Sequence, residues 1–138
     1  MKNIILLSLF LLTFSLSFGQ ASNVSQEMLN TEGATELILD LGTADITIKS
    51  TKGSRIIIES LITIATPNEK MLSYLISAGR YKLEVSHDPT LGTLTITPKG
   101  NLNVLLVKGE ECTETFSYTV FVPETMNMTS TDTTVVYN

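Results

Sequence analysis

Between Thr35 and Val122 the chain alternates apolar with polar residues in short runs, the period of strands that bury one face. Leu37, Leu39 and Leu41 fall on one side and Glu36 and Asp40 on the other, until Gly42 interrupts the run. Ile46 and Ile48 then alternate with Asp45, Thr47 and Lys49, and Ser50-Thr51-Lys52-Gly53-Ser54 reads as a turn. The strongest strand signal is Arg55–Ala65. Ile56, Ile58, Ile62 and Ile64 share one face, with Ser60 its polar member, and Ile57, Glu59, Leu61 and Thr63 share the other. A run so β-branched, and apolar on both sides, predicts a central strand partly covered on both faces.

Residues 66–79 break the alternation. Thr66 is placed to cap a helix, Pro67 to open its first turn, and Met71, Leu72, Leu75 and Ile76 recur at helical spacing before Gly79. One short helix is predicted near residues 68–78, with an amphipathic loop or strand as the competing reading because Tyr74, Ile76 and Ala78 also alternate. Tyr81, Leu83 and Val85 form the next alternation, and the turn His87–Gly92 joins it to Leu94 and Ile96 as a hairpin. Leu102–Val107 follows a Pro-Lys-Gly-Asn turn, and Thr115–Val122 puts Phe116, Tyr118, Val120 and Val122 on one face before Pro123 ends it. Met126 and Met128, then Val135 and Tyr137, give one or two strands more. Residues 20–34 show no period and are expected to be a flexible lead-in. The pattern predicts a mainly β protein with a single domain over 35–138, made of six to eight short strands and one helix. It is either solenoid-like or sandwich-like, since no strict repeat separates the two.

Residues 1–19 follow another pattern. Lys2 supplies a positive start, Ile4 to Leu16 form an apolar core broken only by Ser and Thr, and Ser17-Phe18-Gly19 places small residues before a cut between Gly19 and Gln20. The core of about 13 residues falls short of the ~20 that cross a bilayer, so a cleaved secretory signal is expected rather than an anchor. No cysteine stands at the cut to accept a lipid. Cys112 is the only cysteine of the chain, so no intramolecular disulfide is possible and the core alone must hold the fold.

Charge narrows the partners. Beyond the leader, eight cations face fourteen carboxylates, a formal charge of −6 with no basic run. Such a domain is a poor match for nucleic acid, whose phosphates need clustered Lys and Arg, and for an anionic membrane surface.

Candidate chemistry is sparse. His87 and Asp88 adjoin in a turn, but no Gly-x-Ser-x-Gly elbow accompanies them, and a solvated turn initiated by Asp88-Pro89 is the simpler reading. Glu110, Glu111, Cys112 and Glu114 are the one local group of potential ligands. They mix a soft thiolate with hard carboxylates and match neither zinc nor calcium spacing, so an exposed acidic loop is expected. Glu59 and Glu84 could face one another across strands as a hydrolytic carboxylate pair. There is no Trp to form a sugar platform, and Tyr74, Tyr81, Tyr118 and Tyr137 suit core or helix packing. The strand threonines, Thr47, Thr63, Thr93, Thr95, Thr97, Thr115 and Thr119, suit a solvent-facing β surface. No catalytic, cofactor or metal residue is assigned, and no cofactor is expected.

Several segments occur in a suggestive order: Leu-Asp-Leu-Gly-Thr-Ala-Asp-Ile-Thr-Ile-Lys-Ser (39–50), the Ile-rich strand after Gly53, and Tyr-Lys-Leu-Glu-Val (81–85). Thr-Leu-Thr-Ile-Thr (93–97) and Phe-Ser-Tyr-Thr-Val-Phe-Val-Pro-Glu-Thr-Met-Asn-Met (116–128) complete it. Together they resemble the adhesin-like β-solenoid domains of bacterial envelope proteins, the DUF4097 and head GIN group. In that group an aromatic-alternating strand ends in Val-Pro before stacked coils begin. The group continues through many Gly-, Asn- and Asp-turned repeats where this chain has 15 residues after Pro123, which implies a short or truncated member. Its last coil would leave an open β edge for a partner or a second copy. The leader, with Gln after the cut, resembles Bacteroidetes signal peptides and implies a periplasmic or cell-surface location. The expected function is that of an exported, non-enzymatic, adhesin-like β domain acting by protein or cell-surface contact. The alternative is a small periplasmic ligand-binding or inhibitor module with the helix at Met71–Ile76 as a lid. A hydrolase using Glu59, Glu84 or His87 is the remaining option.

Overall fold

Leu37 and Leu39, Ile46 and Ile48, Ile56 and Ile58, Leu94 and Ile96, and Val120 and Val122 are all buried, and each pair belongs to a strand that alternation alone predicts. The computed structural model describes residues 19–100, 102–131 and 135–137, the last three as backbone; the leader expected over 1–19 lies outside them except for Gly19. The described strands are β1 (Ala21–Asn30), β2 (Glu36–Leu39), β3 (Asp45–Thr51), β4 (Arg55–Ile64), β5 (Leu83–Asp88) and β6 (Thr93–Pro98). β7 (Leu105–Val107), β8 (Glu110–Cys112), β9 (Glu114–Pro123), β10 (Asn127–Ser130) and β11 (Val135–Tyr137) follow, with one helix, α1 (Glu69–Ser77), between β4 and β5.

The strands form a five-stranded sheet in the order β1-β4-β9-β3-β11, a four-stranded sheet β10-β2-β6-β5, and the small hairpin β7-β8. The two larger sheets face each other across one core, to which Leu37, Leu39, Leu94 and Ile96 come from one side and Ile46, Ile58 and Val120 from the other. This is a small sandwich-like arrangement with a regular winding inside it. β2 leads to β3, β6 through the hairpin to β9, and β10 to β11, each time from the four-stranded sheet to the five-stranded one. Equivalent strands run parallel: Leu37 lies beside Leu94 and Met128, and Ile46 beside Tyr118 and Val135.

Residues 21–30, expected as a lead-in, are instead a ten-residue strand that pairs with β4 along its whole length, Ala21 with Ile64 through Asn30 with Arg55. Side-chain period could not show it. Only Ala21 of β1 is fully buried, so the strand is held by its backbone ladder rather than by an apolar face. The described strands number eleven, more than the six to eight expected, and β1 and the short β8 are two that the pattern did not predict. β8 closes on β7 through Lys108 and Gly109, both at positive φ, as a two-residue hairpin turn requires. β4 has neighbours on both edges, and its outer face is partly covered: Ile57, Glu59 and Thr63 are half-buried, while Leu61 is 41% exposed.

Ser60 marks a division of the interior. On the inner face of the five-stranded sheet, Ser25, Ser60 and Tyr118 stand in one row. On one side of the row Ile56 and Ile58 join the main core. On the other, Ile62 and Ile64 join Ala21, Leu72 and Cys112 in a second, smaller cluster. Phe116 packs against both. α1 plugs this second cluster with Leu72, which is 3% exposed, while Tyr74 points away at 71% exposure. The helix therefore lies where its spacing predicts, but its cap is Asn68 and not Thr66: the Asn68 Oδ1 accepts the Met71 N–H at 3.0 Å. Asn68→Ala is expected to cost about 1 kcal/mol and to speed amide exchange in the first turn of α1, while leaving the β4–β9 amides protected.

Candidate functional site

The densest polar constellation is one that local spacing does not reveal. Gly79, at φ +81°, ends α1 and turns the chain so that Arg80 and Tyr81 reach the first residue of β9. Arg80 Nε donates to Glu114 Oε1 at 2.8 Å and Arg80 Nη2 to Glu114 Oε2 at 2.7 Å, a two-pronged ion pair. The Tyr81 hydroxyl donates to Glu114 Oε1 at 2.6 Å, and Arg80 Nη2 also donates to the Asn103 carbonyl. The Tyr81 ring packs against Phe116 at 5.8 Å between centroids, with the Arg80 guanidinium 5.9 Å from its own centroid. The cluster thus ties the end of α1, the approach to β7 and the start of β9 to each other.

Its electrostatics are those of a staple. Burial pushes the Glu114 carboxyl up, but the hydrogen bonds from Arg80 and Tyr81 and the Arg80 charge outweigh it and hold the group below the usual carboxylate range. The Tyr81 phenol is pushed well above its ordinary value by burial, then by the hydrogen bond to Glu114 and its charge. A carboxylate that accepts three donors and stays ionised has no role as a proton donor near neutral pH. Tyr118, 5% exposed, is pushed up to about 12 by burial, with the charge of Glu27 adding. Both phenols are protonated in the fold beyond the unfolded value of 10.0, so their contribution is complete below that value and is lost as pH rises through the folded ones. The melting temperature is expected to fall from about pH 10 upward, and Tyr118→Phe to flatten that alkaline limb.

The sequence candidates scatter around this cluster. His87 and Asp88 close β5 rather than sit in the turn itself. Asp88 Oδ1 accepts the Thr90 and Leu91 N–H groups at 2.8 and 3.1 Å, which organises the turn, and His87 Nδ1 lies 3.2 Å from Glu32 Oε2. Of the acidic group, Glu110 and Glu111 are exposed on β8, Cys112 is buried in the second cluster, and Glu114 turns in to Arg80. Among the described residues no three His, Cys, Asp or Glu side chains are placed to hold a metal ion. Glu59 and Glu84 do not converge. Glu59 alternates with the buried Ile58 and Glu84 pairs with Thr97, beside the buried Ile96, so the two occupy the outer faces of opposite sheets. Tyr81 and Tyr118 pack as expected, but Tyr74 is exposed, and the Tyr137 side chain lies outside the described residues. Thr93 is buried and departs from the solvent-facing set. The cut expected between Gly19 and Gln20 lies immediately before β1.

Two hollows adjoin the cluster. One, of about 410 Å³ and open to solvent, is lined by Leu75, Ala78, Gly79, Arg80, Lys99 and Gly100. The other, of about 300 Å³, lies between Thr43, Phe116 and the segment before β7, where Leu102 and Val104 are 38% and 62% exposed.

No protein-family model matches the chain, and no curated protein matches it significantly. Among solved structures, it is similar to a putative cell adhesion protein from Clostridium sporogenes, with 10% identity and a TM-score of 0.45. It is also similar to a putative lipid binding protein from Parabacteroides distasonis, with 14% identity and a TM-score of 0.38. The alignments cover 79% and 80% of this chain, but only 45% and 37% of those proteins.

Proposed function

We propose that the protein is an exported, non-enzymatic β domain that acts by contact with an envelope protein or a cell surface, in the manner of the adhesin-like β-solenoid domains its sequence resembles. One observation carries this reading. Three strand pairs wind in the same sense and stack parallel, and among the described residues β10 and β11 stand at the outer edges of the two sheets. Such a winding supports a reading of coils stacked along an axis, whose outermost strand edges would be open to a partner. The charged cluster at Arg80 supports it from the other side, since its groups satisfy one another and hold the fold.

Digestion of the native protein by an external protease on intact cells, with lysed cells as control, is the expected result. Protection until lysis would place the domain in the periplasm and remove the surface role. The hollow beside α1, with Arg80 and Lys99 in its wall, favours the second reading, a small ligand-binding or inhibitor module. Thermal-shift screening against sugars, lipids and metals separates the two, because a single tight small ligand belongs only to the module.

A further inference from the structure

We propose that the free edge of β1 pairs antiparallel with the same edge of a second copy, joining two five-stranded sheets into one. β1 is the outermost strand of its sheet, and one of its two backbone edges carries no strand among the described residues. It is ten residues long, contains no proline, and carries a single charged residue, Glu27, where charges and proline commonly blunt an exposed edge. Its outward face carries Val24 at 71% exposure and Met28 at 64%, with Gln26 between them.

The sequence of β1 is complementary to itself in one register. Partners in a sheet share a face, so the two-fold axis must pass through a residue of β1. With the axis at Gln26, Val24 lies opposite the partner's Met28 on both sides, Gln26 faces its own copy amide to amide, and Ser25 lies opposite the partner's Glu27. An axis one residue later sets the two Glu27 carboxylates against each other, which is destabilising. One residue earlier it sets Val24 against an amide and Met28 against Ser22. Only the Gln26 register covers both exposed apolar side chains without opposing like charges. Such an interface, a single strand pair, is at the small end of specific contacts, where association is weak and reversible. β1 and β11 lie at opposite ends of the sheet, so this pairing leaves the β10–β11 edge free and forms whether or not an envelope partner is held there.

Sedimentation of the purified protein is expected to show a reversible dimer, and Gln26→Lys to raise its dissociation constant about tenfold by facing two ammonium groups across the axis, a change that Glu59, opposite Gln26 in β4, tolerates within each copy. Cysteine pairs fix the register. In a Cys112→Ala background, Gln26→Cys places the two thiols across an antiparallel pair with Cα atoms about 5 Å apart, within disulfide range. Val24→Cys separates them by about 13 Å along the strands. Mild oxidation should link Gln26→Cys at least about tenfold faster. A monomer at all concentrations, a dimer indifferent to Gln26→Lys, or equal linking at both positions overturns the proposal.

Discussion

Ile58→Ala is expected to remove about 3–4 kcal/mol of unfolding free energy, seen as a lower urea midpoint at unchanged slope. Ile58 is 0% exposed and lies in β4 directly beside Val120 of β9, which is also 0% exposed. The core cluster it belongs to draws on both sheets, Leu37 and Ile96 included, so the space it leaves is walled by strands that their ladders hold in place. Such a site collapses poorly, and the cavity adds to the lost transfer energy. Leu61 is the control. It sits three residues on in the same strand, on the outer face at 41% exposure, and Leu61→Ala should cost under about 1 kcal/mol. Equal costs at the two positions would mean that the outer face is covered and that the facial assignment of β4 is wrong.

Glu114→Ala is the second large effect, about 2–3 kcal/mol, although the residue belongs to neither core cluster. The substitution strips Arg80 of both its carboxylate contacts and the Tyr81 hydroxyl of its acceptor at once. The side chains of Arg80 and Glu114 are 19% and 9% exposed, so water restores only part of what is lost. pH separates this loss from simple packing. Because the folded carboxyl is held below its unfolded value of 4.5, its contribution is present above that value and disappears as pH falls through the folded one. The wild type and Glu114→Ala should therefore converge in stability on acidification, whereas the Ile58→Ala gap persists. A cycle with Arg80→Ala should be strongly non-additive; additive losses would show that the pair is not coupled.

Much of the fold was legible because a half-buried strand writes its orientation into a period of two. Ile46 and Ile48, Leu94 and Ile96, and Val120 and Val122 point inward as their alternation requires. α1 was legible through the spacing of Met71, Leu72, Leu75 and Ile76, and the β5–β6 hairpin through its turn residues. β1 was not, because its side chains meet mostly solvent and its stability comes from backbone bonds to β4, which leave no periodic trace. The Arg80–Glu114 cluster was illegible for a related reason. Its members lie 34 positions apart, and the grouping that proximity in sequence suggested, Glu110 to Glu114, is dispersed because Glu110 and Glu111 stay exposed on β8, Cys112 enters the second core cluster, and Glu114 opens a different strand, β9.

The sequence by itself determined that this is a strand-dominated chain with one short helix, and which face of β2, β3, β4, β6 and β9 is buried, since both follow from local periodicity and turn chemistry. Which strands become neighbours was decided only by the tertiary structure. β3 and β4 are separated by three residues, yet they do not pair with each other: β9 lies between them, parallel to β3 and antiparallel to β4. β2 and β3 follow one another in the chain and lie in opposite sheets. Side-chain pattern specifies a face and leaves the edge open, because the hydrogen-bonding groups on a strand's edge are the same for every residue but proline. The order of strands is therefore settled by which arrangement closes the two cores and satisfies the ladders together.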